Sequence, residues 1–146
     1  VNTIADDSPV KESALFGHFG GQVNITDGRW VYMRGPVNPD NTPLYEYTLM
    51  PTHLPHTFAV EELQDIQLAE PFPFTKGCRT MKIASAGVHQ SLQHEFGTLL
   101  FDLENDYGQS SPVEDEEAES AMKDLLIREM RRLDAPPDQF ERLGLA

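Results

Sequence analysis

The chain has 146 residues, 11 of them basic and 24 acidic, for a formal charge of -13 at pH 7. That length fits one domain, and the acidity argues against nucleic acid or an anionic membrane surface as the main partner. A single cysteine, Cys78, rules out an internal disulfide, and no apolar run approaches the roughly 20 residues needed to span a bilayer. No signal peptide is visible, which favours the cytoplasm over the periplasm and leaves the compartment open. With valine in first place, the chain is expected to be part of something longer.

Residues 1–13 are polar, hold Pro9 and read as a loose lead-in. From Ala14 to Met50 the pattern is that of strands. Thr26-Asp27-Gly28-Arg29 separates two apolar arms, and Asp-Gly suits a tight hairpin turn because both residues tolerate positive φ. In the second arm Trp30, Tyr32 and Arg34 alternate with Val31 and Met33; in a third run Leu44, Glu46, Thr48 and Met50 alternate with Tyr45, Tyr47 and Leu49. These runs predict one antiparallel sheet. Gly17-His18-Phe19-Gly20-Gly21 interrupts the first arm. Glycines inside a strand pattern mark a bulge or a close backbone approach, here with His18 beside a ligand site as the sharper reading.

Two prolines, Pro51 and Pro55, stop the ladder after the third run. His53 and His56 stand three apart, but a structural zinc wants four ligands, often thiolates, and Cys78 is distant; loop histidines are the expected reading. Val60 to Ala69 places Val60, Leu63, Ile66 and Leu68 on one side and predicts a short helix packed on the sheet. Thr75 to Arg79 is a turn carrying Lys76 and Arg79, either solvated or a cationic rim beside an anion site. Thr80–Ala84 and Gly97–Leu103 read as strands, with a polar, ambiguous stretch between them.

The final helix is the most strongly specified element. Ser111 and Glu114 have capping-box spacing and Pro112 suits the first helical position. Ala118, Ala121, Met122, Leu125, Leu126, Met130 and Leu133 form one apolar face, with acids at the start and Lys or Arg at the end, as the helix dipole favours. Pro136-Pro137 ends it. Residues 136–146 form a tail whose Phe140, Leu143 and Leu145 are expected to dock on a neighbour, so a homo-oligomer is one expectation. The fold class predicted is α+β: an antiparallel four- or five-stranded sheet packed against a long C-terminal helix and a short middle helix.

There is no P-loop, no dinucleotide-binding fingerprint, no paired zinc motif and no nucleophile elbow. A small enzyme using His53 or His56 as a base lacks an evident oriented partner. From the residues alone the reading stops at an acidic α+β domain or an interaction module.

ALFGHFGGQVNITDGRWVYMRGP, then PLYEYTLMPTHL, then AEPFPFTKGC, resembles the C-terminal part of bacterial arylsulfatase-type sulfatases. The closing GTLLFDLENDYGQSSPVEDEEAESAMKDLLIREM resembles the strand, turn and helix that end such enzymes, with Phe101 to Asp106 fitting the turn and Tyr107 and Gln109 departing from it. The resemblance spans Ala14 to Leu133 and implies a subdomain over residues 14–135. It further implies an N-terminal catalytic domain as partner, which would own the formylglycine nucleophile and a divalent cation, calcium or magnesium, bound outside this region. Cys78 is followed by Arg79-Thr80-Met81-Lys82, not by the proline and arginine of a C-x-P-S-R-type motif, so no nucleophile is carried over and no cofactor is expected here. The subdomain would be inactive alone and would help wall the substrate cleft, with His18, His53, Lys76 and Arg79 as the loop residues facing substrate.

Overall fold

The Asp-Gly turn builds the first hairpin. In the computed structural model, which describes residues 10–50, 52–54, 56–85 and 94–146, β2 (Val23–Thr26) and β3 (Trp30–Arg34) pair antiparallel from Val23↔Arg34 to Thr26↔Val31. Asp27 Oδ1 accepts the N–H groups of Arg29 and Trp30 at 2.9 and 2.7 Å, and Gly28 takes the left-handed φ of +98° that the turn demands. β1 (Ala14–Gly17) pairs with β2, so the glycine-rich segment is the connection of a second hairpin and not a bulge within one arm. The lead-in up to residue 9 and most of the ambiguous stretch before Gly97 lie outside the described residues.

The third run is not a neighbour of this hairpin. β4 (Tyr45–Thr48), β5 (Gln67–Ala69) and β6 (Thr80–Ala84) form a separate three-stranded sheet in the order β4-β6-β5. The free edge of β3 is instead taken by β7 (Leu99–Asp102), giving a four-stranded sheet β1-β2-β3-β7. With both edges of β3 satisfied, β4 must find its ladder elsewhere. Among the described residues all five strand pairings are antiparallel, and the α+β class holds.

The short middle helix expected over Val60–Ala69 is a single 3-10 turn, Glu61–Leu63, after which the chain extends into β5. A helix this short is marginal without tertiary support. The open edge of β6 offers Leu68 and its neighbours ladder partners instead, with Leu68 opposite Met81.

The long helix α1 (Glu116–Arg132) starts later than the capping box suggests. Asp115 is its cap, accepting the Ala118 N–H at 2.9 Å. The Val113 N–H donates to Leu100 O at 2.8 Å, which holds the Ser111–Glu114 segment beside β7 and out of the helix. Met122, Leu126 and Met130 are buried against Ile25, Tyr32 and Leu100 of the four-stranded sheet, whereas Leu133 is half-exposed. The tail packs on its own domain. It forms α2 (Pro137–Arg142) and drops Leu143 and Leu145 into the same core. Each fully buried side chain of this kind contributes about 1.5–3 kcal/mol.

Candidate functional site

Strand register sorts the three-stranded sheet into two faces. Tyr47 opposes Lys82, which also opposes Gln67, so these three share a face with Tyr45 and Ala69. Glu46, Ile83, Met81 and Leu68 share the other.

On the first face a polar cluster meets the start of α2. The Tyr47 hydroxyl donates a short hydrogen bond to Asp138 Oδ1, and Lys82 Nζ lies 3.6 Å from the same oxygen. The ammonium also sits over the Tyr45 ring at 3.9 Å and the Tyr47 ring at 5.7 Å, an arrangement in which the ring faces share in balancing its charge. Burial, followed by the Asp138 carboxylate, pushes the Tyr47 phenol well above its ordinary value. It therefore stays protonated at neutral pH and serves as a donor, not as a base. The Phe72 ring meets Tyr47 edge-on, with centroids 5.3 Å apart, and stacks on Phe74 at 5.4 Å. A groove of about 470 Å³ runs between this face and the corner joining α1 to α2.

On the second face His53 is clasped by carboxylates. Its Nε2 is 2.8 Å from Glu62 Oε1 and its Nδ1 3.7 Å from Glu46 Oε2, while Phe58 packs on the ring with centroids 4.2 Å apart. The His53 hydrogen bond, helped by the Ala59 N–H, holds the Glu62 carboxyl below its usual range.

A second buried network ties α2 to the four-stranded sheet. Arg142, 1 % exposed, donates to Gly21 O from both terminal nitrogens at 3.1 Å and to Asn41 Oδ1 at 2.8 Å. Asn41 Nδ2 in turn donates to Gly20 O at 2.6 Å. Burial pulls the Arg142 guanidinium down to about 10, with Asp138 opposing the shift.

No known protein family, curated protein or solved structure matches this chain. Among the described residues no group of three or more His, Cys, Asp or Glu side chains is disposed to hold a metal ion, and no helix is long and apolar enough to cross a membrane.

The four residues singled out in the sequence lie in three places. His18 is exposed in the β1–β2 connection, its ring lying over Gly21 so closely that a Cβ there would come within 2.9 Å of three ring atoms. His53 occupies the carboxylate clasp. Lys76 is exposed in a left-handed conformation at φ +53°. Arg79 is answered by Glu70 Oε1 at 2.7 Å. Among the described residues no hydrogen bond or ion pair joins any two of the four. The cluster around Tyr47, Lys82, Phe72 and Asp138 escaped the sequence reading. The alternation of Tyr45 and Tyr47 was its one local signal; the rest depends on strand register and on where α2 lands.

Proposed function

We propose that the chain is the C-terminal α+β subdomain of a sulfatase, inactive alone, which supports an N-terminal catalytic domain and helps wall its substrate cleft. The observation that carries this reading is the apolar surface around the second sheet. Leu49, Leu54, Val60 and Leu68 are 57, 82, 72 and 57 % exposed, with Leu63 and Ile66 also open to solvent. Large apolar side chains left open to solvent in this number favour a contact surface. The ordered segments that resemble sulfatases make the catalytic domain the occupant, with the nucleophile and the divalent cation on that side. His18, His53, Lys76 and Arg79 are then the loop residues offered toward substrate.

The purified chain is expected to leave an aryl sulfate such as p-nitrophenyl sulfate intact, and the upstream reading frame to encode a C-x-P-S-R-type motif. Enzyme-like turnover by the chain alone, or a frame without that motif, overturns the reading. A second reading, an oligomerisation module in which the same apolar surface meets another copy, predicts dimers or larger species in sedimentation velocity. It cannot use Leu143 and Leu145, which are buried in the chain's own core.

A further inference from the structure

We propose that the groove between the three-stranded sheet and the α1–α2 corner is a binding site for a neutral saccharide ring. Its volume of about 470 Å³ lies within the range of small-molecule sites. The groove has an aromatic wall and a polar rim. Phe72 lines it, set perpendicular to the Tyr47 ring with centroids 5.3 Å apart and stacked on Phe74 at 5.4 Å, so the ring is held in place before any ligand arrives. Pro136 and Pro137 add an apolar opposite side. At the rim stand Gln67 and Asp134, both exposed. Among the described residues neither the Gln67 amide nor the Asp134 carboxylate has a side-chain hydrogen-bond partner.

Charge narrows the ligand class. A cationic ligand would want the tyrosine faces, but the Lys82 ammonium already occupies them. An anionic ligand would meet the Asp134 carboxylate and Asp138, which is bonded to the lining Tyr47, while the nearby cations are already engaged, Lys82 by Asp138 and Arg79 by Glu70. What remains is a neutral molecule with an apolar face for Phe72 and an edge of hydroxyls. Those hydroxyls would receive donors from Gln67 and Lys82 and acceptors from Asp134. A pyranose ring has that shape and chemistry.

The inference does not depend on the sulfatase reading and can fail separately from it. The test is an amide-resolved NMR titration of the ¹⁵N-labelled chain with glucose, galactose, N-acetylglucosamine, maltose and cellobiose, with sodium sulfate and choline as charged controls. At least one sugar should shift the Gln67, Ala69 and Phe72 signals with a dissociation constant of about 1 mM or tighter. Phe72→Ala should weaken that binding at least tenfold. Gln67→Leu leaves the aromatic cluster intact and should weaken it several-fold, so the result does not hinge on the folding of the Phe72 variant. No groove shifts with any of the five sugars, unchanged affinity in Gln67→Leu, or preferential binding of sulfate or choline there would each overturn the proposal.

Discussion

Replacing Arg142 by lysine should destabilise the protein more than replacing it by methionine. The guanidinium is 1 % exposed and supplies donors to Gly21 O and Asn41 Oδ1, with Nε 3.0 Å from Gln139 Oε1. Methionine removes those donors from two buried acceptors, a loss of about 1–3 kcal/mol each. It also removes a buried charge. The fall of the Arg142 pKa from 12.5 to about 10, burial lowering it against the pull of Asp138, corresponds to a net cost of about 3 kcal/mol for holding the charge there, at about 1.4 kcal/mol per pH unit. The two effects largely offset, leaving a net loss of about 1 kcal/mol for Arg142→Met. Lysine keeps the buried charge while giving up the fixed fork that reaches Gly21 and Asn41 together, and should lose about 3 kcal/mol. Urea unfolding at pH 7, followed by circular dichroism, reads both values from the midpoints at constant slope. Arg142→Lys unfolding at the wild-type midpoint would refute the reasoning, because it would mean that charge alone, and not the guanidinium geometry, holds the loop.

Two further tests address the helix start and the acid limb. Asp115→Ala should lower stability by about 1 kcal/mol, the usual worth of a cap, whereas Ser111→Ala should leave the urea midpoint unchanged; the opposite ranking would restore the capping box. Hydrogen bonds hold Glu62 below its ordinary range, from His53 first and then Ala59. Asp102 is also depressed: burial works against the shift, but Asn105, the Glu104 N–H and Arg29 outweigh it. A carboxyl whose folded pKa is depressed stabilises the fold above its unfolded pKa and loses that contribution as pH falls through the folded value. Stability should therefore drop below about pH 4, and the drop should be shallower in Asp102→Asn; an identical acid limb in the variant would remove Asp102 from the account.

Where local pattern decided the outcome, it could be read from the residues. Asp27-Gly28 and its flanking alternation specify a hairpin whatever else the chain does, and the Met122, Leu126 and Met130 stripe specifies a buried helix face. Where two local patterns compete, tertiary partners choose. The four apolar residues from Val60 to Leu68 suit a helix or a strand; Glu61–Leu63 makes only a 3-10 turn, and the free edge of β6 draws Gln67–Ala69 into a strand. Ser111 and Pro112 look like a helix start until Leu100 claims the Val113 N–H. The grouping of strands into two sheets depends on which edge of β3 is free, and no window around β4 contains that information. The groove was hidden for the same reason: Tyr47 and Asp138 are 91 positions apart and meet only once both the sheet and α2 are in place.

The bonds that close the four-stranded sheet have a bearing on how fast it assembles. β1, β2 and β3 follow one another and zip by short turns, but β3 must wait for β7, as Trp30 pairs with Asp102. Gly21 waits longer still, for a guanidinium 121 positions downstream. Topologies dominated by such distant pairings cross their barrier in milliseconds to seconds, slower than helical bundles of similar size. Until β7 pairs, one edge of β3 has no ladder partner within the segment from β1 to β3, and that edge is open to any extended strand.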